Sequence, residues 1–102
     1  MKNMKIKVEN MTSATSADSD RYRYIPNQFI ITTKEGRYFQ SYNSIIAFYP
    51  FSGKIQLDRI FWDYSKTTGR YRNKFLGINK ADTQERIKNG IYELVDLNNE
   101  EL

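Results

Sequence analysis

Four cationic side chains near the middle of the chain have the types and spacing needed to hold anions. Lys66, Arg70 and Lys74 recur at every fourth position, so in an α-helix they lie one turn apart on the same side. Arg72 stands between them, and residues 64–77 contain no acidic residue. Such a row predicts a surface for the phosphates of a nucleic acid or for the carboxylates of a partner protein. The alternative is a solvated face whose repulsion is absorbed by water and salt.

A second group alternates arginine with tyrosine at Arg21, Tyr22, Arg23 and Tyr24. On a β-strand the two arginines point to one face and the two tyrosines to the other. The guanidinium groups could then hold a phosphate backbone while the rings stack on bases. The alternative is an edge strand with stacked cross-strand tyrosines. Trp62, the only tryptophan, is either a core anchor or, if exposed, a contact for a partner or a base.

Catalytic chemistry has little support in the composition. The chain has no cysteine and no histidine, which excludes thiolate nucleophiles, imidazole bases and the zinc sites built from these ligands. Asp58 and Asp63 could approach one metal ion, but a single ion needs more ligands than two. A capping or ion-pairing role is therefore expected for Asp63. We predict a non-enzymatic protein without metal or cofactor, and a metal-dependent nuclease is the weakest alternative.

Charge is distributed unevenly along the chain, whose formal net charge is +4. Residues 1–20 carry three basic and three acidic groups, and residues 77–102 carry three basic and six acidic groups. Residues 21–76 carry ten basic and three acidic groups, which favours an anionic partner for this central segment. No apolar run approaches the ~20 residues of a membrane span, and the N-terminus lacks the apolar core of a signal peptide. We expect a cytoplasmic protein without a membrane partner.

Local signals place the central cations on a helix. Ser65 is a suitable N-cap, and Gly77 stands where a left-handed C-terminal cap residue belongs. Gly69 weakens the helix interior by about 1 kcal/mol relative to alanine. The stripe expected to face the core comprises Tyr64, Thr68, Tyr71 and Phe75.

The rest of the chain is rich in strand patterns. Residues 1–9 alternate as a strand, residues 11–20 form a loop rich in Ser, Thr and Asp, and a second helix is indicated by Asp82 and Glu85. Further strands are predicted at 28–33, 37–43, 44–49, 54–61 and 91–97. We predict an α+β fold, with an antiparallel sheet of about four to six strands and two short helices on one face. Residues 1–20 form an N-terminal strand or arm with a flexible loop, and residues 21–102 form a single domain.

The segment WDYSKTTGRYRNKFLG resembles small uncharacterised proteins encoded by bacteriophages and other mobile elements of Gram-positive bacteria. In those proteins a Trp-Asp-Tyr-Ser-x-Thr-Thr element precedes a basic helix that ends in Phe-Leu. Here the resemblance is carried by Trp62, Asp63, Tyr64, Ser65, Thr67, Thr68, Arg72, Phe75 and Leu76. Residues 27–48 are similar more loosely, and the first 26 residues depart from the pattern. The resemblance implies a phage or prophage accessory protein in a bacterial host. Such proteins often bind and disable host or defence complexes, as anti-CRISPR proteins do.

Two functional hypotheses follow. The first is an accessory protein that binds a nucleic acid or a nucleoprotein complex through the basic helix and nearby aromatics, as an inhibitor of a nucleic-acid-guided defence enzyme would. The second is a protein-binding module or homodimer that acts through aromatic contacts or an exposed sheet edge, without nucleic acid.

Overall fold

A computed structural model describes residues 5–13 and 23–98. In chain order, five strands are followed by two helices and a last strand. The first five strands are β1 (Lys7–Ser13), β2 (Arg23–Thr33), β3 (Gly36–Ser41), β4 (Ser44–Pro50) and β5 (Gln56–Asp58). The remaining elements are α1 (Lys66–Leu76), α2 (Lys80–Lys88) and β6 (Glu93–Val95).

The strands form one six-stranded sheet in sequence order, from β1 at one edge to β6 at the other. The first five strands pair antiparallel with their neighbours, whereas β6 pairs parallel with β5. A parallel neighbour needs a crossover connection, and the two helices provide it. The predicted α+β class is confirmed, with a mostly antiparallel sheet.

One face of the sheet is covered by α1. The ring centroid of Phe75 lies 5.7 Å from that of Phe39 and 6.3 Å from that of Tyr49. Because side chains alternate along a strand, Tyr38 and Phe48 point to the opposite face. Their rings stack there with centroids 4.3 Å apart.

The core lies between the sheet and the helices. Ile78, which precedes α2, and Ile87 within α2 pack against the same buried cluster as α1. Burying each large apolar side chain contributes about 1.5–3 kcal/mol, so this cluster fixes how the helices sit on the sheet. Its buried members are Phe39, Ile46, Ala47, Leu57, Leu76 and Tyr92.

Helix α1 begins and ends where the sequence indicates. The Ser65 hydroxyl accepts a hydrogen bond of 3.1 Å from the Thr68 amide, and Gly77 adopts φ 77° at the C-cap. Tyr71 is half-buried against the core. Tyr64 differs from the prediction because it precedes the N-cap, outside the helix, and is 66% exposed.

Several element boundaries differ from the sequence prediction. Strand β2 begins at Arg23 and not at residue 28, and β5 covers only Gln56–Asp58 of the predicted run 54–61. Strand β1 continues through Ser13 into the expected loop and pairs with β2, so it joins the main sheet. Helix α2 is capped by Asn79, whose side chain accepts a 2.8 Å hydrogen bond from the Asp82 amide. It therefore begins before Asp82. Strand β6 is shorter than the predicted run 91–97.

Candidate functional site

The outer side of α1 carries three exposed cations. Lys66, Arg70 and Lys74 are all exposed, one helical turn apart. Within residues 5–13 and 23–98, no carboxylate lies within 4.0 Å of any of the three. The Arg70 guanidinium lies over the Tyr71 ring at 5.4 Å from its centroid, which positions the side chain without neutralising it. These three residues are called the outer cations below.

A groove of about 590 Å³ runs beside the outer cations. Its lining combines the α1 residues Lys66 and Arg70 with Lys80 at the start of α2. Asp63 is the one carboxylate in this lining, so the local balance is strongly positive. We call this feature the cationic groove. It is lined by Asp63, Ser65, Lys66, Gly69, Arg70, Arg72, Asn73 and Lys80.

Arg72 behaves differently from the outer cations, and this corrects the expectation that it belongs to the contact surface. Its side chain is only 1% exposed. One terminal nitrogen donates to the Trp62 carbonyl at 2.8 Å and to Asp63 Oδ1 at 3.2 Å, and the other donates to Asn73 Oδ1 at 2.8 Å. The buried Nε has no hydrogen-bond partner within the described residues. Because a buried charge must be paired, Arg72 joins the helix to the preceding turn.

Asp63 connects the buried and exposed cations. Its second oxygen lies 2.8 Å from Lys80 Nζ, and the side chain is 31% exposed. Partial burial alone would raise the pKa of this carboxyl, but hydrogen bonds and charge from Lys80 and Arg72 hold the pKa below its ordinary value of 3.8. Asp63 is therefore ionised at neutral pH and positions Lys80 at the groove.

Gly69 lies in the wall of the cationic groove, directly over Arg72. A Cβ at position 69 would lie 3.5 Å from one terminal nitrogen of the Arg72 guanidinium and 3.6 Å from the other. These are ordinary van der Waals distances, so an alanine would fit without displacing the guanidinium, which is already only 1% exposed.

Trp62 is half-buried and packs against the core. The Arg72 guanidinium lies over its ring, with Cζ 5.2 Å from the centroid. A cation–π contact on one face of the indole leaves that face unavailable to a nucleobase. The structure thus gives Trp62 a packing role at the base of the site.

The arginine–tyrosine motif is only partly described. Arg21 and Tyr22 lie outside the described residues. Arg23 and Tyr24 are exposed and begin β2, where they pair with Ser13 and Thr12 of β1. Neither residue lines the cationic groove.

Asp58 has a structural role in the turn after β5. It is 3% exposed, and its oxygens accept hydrogen bonds from the amides of Ile60 at 3.0 Å, Phe61 at 2.9 Å and Leu97 at 2.7 Å. Burial alone would raise the pKa of Asp58, but these backbone donors and the Asn98 side chain hold it below 3.8. Within the part of the chain that the structure describes, no three His, Cys, Asp or Glu residues form a metal-binding group.

A second cavity of about 470 Å³ lies on the other side of the α1 N-terminus. Its floor includes the buried hydroxyls of Ser41 and Thr68, which are 3.0 Å apart. Tyr42 and Tyr64 line it and are 49% and 66% exposed. We call it the hydroxyl pocket. Ser65 lines both the hydroxyl pocket and the cationic groove, so the two cavities adjoin.

Sequence reasoning missed Lys80 and the residues of the hydroxyl pocket. Lys80 reaches the groove because the start of α2 lies close to the turn before α1, where Lys80 pairs with Asp63. The hydroxyl pocket combines the β3–β4 turn, near Tyr42, with the segment 61–68, and no local pattern links these two regions. The one available signal was the position of Tyr42 in a two-residue turn, where a small or flexible residue is usual.

Comparisons with known proteins locate the chain in a family. Residues 5–90 match the model of a family of unknown function, DUF8033. Neither a curated protein nor a solved structure matched the chain. In the described residues no helix is both long and apolar enough to cross a membrane. Since the match covers most of the sequence, the chain belongs to the family DUF8033.

Proposed function

We propose that this protein binds nucleic acid, with phosphates held by the cationic groove and the outer cations of α1. The observation that carries the proposal is the lack of neutralisation: Lys66, Arg70 and Lys74 have no carboxylate partner within the described residues. Lys80 adds a fourth cation from a separate element. A groove lined by cations on two sides suits the line of charges along a nucleic acid backbone.

Charge repulsion along α1 favours the binding of an anion at the cationic groove. Like charges one turn apart on a helix destabilise it by about 0.2–0.5 kcal/mol per pair, and a bound phosphate relieves that repulsion. Each phosphate contact also releases condensed counterions, which drives binding at low salt. Arg72 increases the positive potential from below, although its side chain is buried.

The setting is a further part of the proposal. The resemblance of residues 62–77 to phage and mobile-element proteins supports an accessory role in a bacterial host, in which the nucleic acid belongs to a nucleoprotein defence complex. Inhibition of the anti-CRISPR kind fits a small protein that occupies the nucleic-acid channel of such a complex, or that competes with the complex for its guide strand or target strand. We propose binding without catalysis, because the two central carboxylates, Asp58 and Asp63, both have structural partners.

Neutralising the outer cations tests this function. We expect the double variant Lys66→Gln/Arg70→Gln to lose at least about tenfold in affinity for a fluorescently labelled oligonucleotide at low salt, measured by anisotropy. Lys88→Gln is the matched control, since Lys88 is exposed on α2 and does not line the groove. Equal affinity of the double variant and the control would contradict the proposal.

One observation favours a second candidate function, self-association through the β1 edge. Among the described residues the sheet ends at β1, and Ile6 just before β1 and Val8 within it are 59% and 60% exposed. Two β1 strands could pair antiparallel with Val8 opposite Val8. Lys7 of each copy would then lie opposite Glu9 of the other copy. Such an open edge with matched charges can add a strand from another chain.

A charge swap tests this candidate. Lys7→Glu would place like charges across the two-fold axis and dissociate a dimer, whereas Lys7→Glu combined with Glu9→Lys would restore it. Light scattering coupled to size exclusion gives the molar mass of each variant. A monomer for the unaltered protein at every accessible concentration would contradict the candidate.

A further inference from the structure

The hydroxyl pocket has the composition of a binding site for a small planar group. Its volume of about 470 Å³ falls in the range of about 300–1,000 Å³ that is typical of ligand sites. Aromatic side chains line it, and hydroxyl groups stand at its floor. A flat ring with hydrogen-bonding edges would match both kinds of lining.

The pocket floor has hydrogen-bonding capacity to spare. Ser41 and Thr68 are 3% and 1% exposed, and the bond between their hydroxyls uses only one of two hydroxyl hydrogens. Gln28 pairs with Ser41 across the β2–β3 ladder and is buried without a hydrogen-bond partner within the described residues, but it does not line the pocket. The spare hydroxyl hydrogen of the Ser41–Thr68 pair is therefore the group that the floor offers to a ligand edge.

Tyr42 is held in an unfavourable backbone conformation at the pocket wall. It occupies the two-residue turn between β3 and β4 with φ 57°, the left-handed region in which asparagine or glycine is cheaper than tyrosine. Such outliers are concentrated at functional sites. The ring of Tyr42 is 49% exposed and lines the cavity, so the conformation places an aromatic surface at the opening.

Tyr64 provides a second aromatic surface next to the cations. Its ring is 66% exposed and is supported edge-on by Phe61, with centroids 5.5 Å apart. Ser65 follows it at the boundary with the cationic groove, and Lys66 lies in the groove itself. One nucleotide unit therefore has a place for its ring on one side of the α1 N-terminus and a place for its phosphate on the other.

We infer that the hydroxyl pocket receives an unpaired base of a single-stranded nucleic acid whose phosphates lie in the cationic groove; this inference rests on the proposed function and specifies its substrate. The base stacks on the rings of both Tyr42 and Tyr64, which line the pocket, and its edge bonds the hydroxyls of Ser41 and Thr68. A base in a duplex is stacked and paired, and extracting it costs a few kcal/mol. Single strands are therefore preferred over duplexes of the same length.

An abasic strand separates this inference from the proposed function. Labelled oligothymidylate, oligouridylate, an abasic deoxyoligonucleotide of equal length and a matching duplex are titrated by anisotropy at fixed salt. We expect the strands with bases to bind at least about tenfold more tightly than the abasic strand, as stacking of one base on an aromatic ring implies. The comparison of thymidylate with uridylate distinguishes DNA from RNA as the source of the base.

Two variants assign the effect to the pocket. Tyr64→Ala should reduce binding of the strands with bases to that of the abasic strand. Tyr42→Asn should do the same while leaving the thermal midpoint unchanged or higher, because asparagine tolerates the turn conformation. Phe51→Ala is the control, since Phe51 is 65% exposed and lines neither cavity.

Each outcome has a separate meaning. Equal, salt-sensitive binding of abasic and base-containing strands, or a preference for the duplex, would overturn the base pocket and leave the phosphate groove standing. Failure of every strand to bind would overturn both. Binding of strands with bases that survives in Tyr42→Asn and Tyr64→Ala would place the base elsewhere and overturn this inference alone.

Discussion

Arg70 and Arg72 are two positions apart on α1 and have opposite environments. Arg70 is exposed and has no carboxylate within 4.0 Å in the described part of the chain, whereas Arg72 is 1% exposed and paired with Asp63. Two positions correspond to about 200° around a helix, which places one guanidinium outside and the other beneath. The inner arginine holds the helix to the Trp62–Asp63 turn, and the outer one is left for a ligand.

The contrast also explains why a basic helix can be stable here. The inner side of α1 is fixed by Arg72, by the Ser41–Thr68 hydroxyl pair and by Leu76 in the core. These contacts offset the repulsion among the outer cations, which is small by comparison. We therefore expect substitutions on the inner side of α1 to lower the free energy of unfolding, and substitutions of the outer cations to weaken binding.

The largest effect is expected from the inner arginine. Arg72→Gln should lower the free energy of unfolding by roughly 3 kcal/mol, because it breaks a buried ion pair and leaves the Trp62 carbonyl and the Asn73 side chain without their donor. Arg70→Gln should change it by less than about 0.5 kcal/mol. Urea unfolding followed by Trp62 fluorescence measures both. Similar losses in the free energy of unfolding for Arg72→Gln and Arg70→Gln would contradict the assignment of Arg72 to the inner side and Arg70 to the outer side.

The second largest effect is expected from low pH, which should reduce the contribution of Asp63 to the free energy of unfolding. The pKa of Asp63 is lowered in the folded protein, so its contribution is complete above the unfolded pKa and is lost as the pH falls through the lower folded value. We expect Asp63→Asn to cost about 1 kcal/mol at neutral pH, since the side chain is partly exposed, and to cost less as the pH falls below 3.8. Asp58 titrates in both proteins, so the difference between their pH–stability curves isolates Asp63. A difference independent of pH would contradict the ion-pair account.

Gly69 lies between the two environments, and its substitution should change stability without changing binding. Gly69→Ala should raise the free energy of unfolding by up to about 1 kcal/mol, from improved helix propensity. The affinity for an oligonucleotide should stay unchanged, because the added methyl would lie 3.5 Å from a guanidinium that is already only 1% exposed. Chemical denaturation and anisotropy on the same variant give both quantities. A several-fold loss of affinity would mean that Arg72 contacts the ligand and would contradict its purely inner role.

The smallest effect on stability belongs to the outer row. Lys66→Gln should stabilise the free protein slightly, by about 0.2–0.5 kcal/mol, because it removes the like-charge pair with Arg70. Lys74→Gln should gain less, because Lys74 lies in the last turn of α1, where the helix dipole favours a cation. The gain at Lys66 should shrink in high salt, which screens exposed charges. Lys88→Gln serves as the reference in thermal unfolding at low and high salt. A loss of stability in Lys66→Gln would reveal a structural partner.

Local features were predictable from the sequence and long-range ones were not. The limits of α1 followed from Ser65 and Gly77, because capping depends on neighbouring residues. Helical spacing places Arg72 on the side of Thr68 and Phe75, so its inward direction was predictable. Its partners were not, since they depend on the turn at Trp62 and Asp63 folding back under the helix. The parallel pairing of β6 and the approach of Lys80 likewise depend on where the two helices pack. Sequence patterns therefore identified the cations of α1 and their sides of the helix, but not the partners that Arg72 contacts or the cation that α2 adds.

The most direct test of the central claim is the salt dependence of oligonucleotide binding. The logarithm of the affinity should fall linearly with the logarithm of salt concentration for the unaltered protein. The slope should become shallower by about 0.7 for each outer cation removed from a single-strand complex, as in Lys66→Gln or Arg70→Gln. Lys88→Gln should keep the original slope. Binding that ignores salt, or a slope that the outer substitutions leave unchanged, would contradict the account.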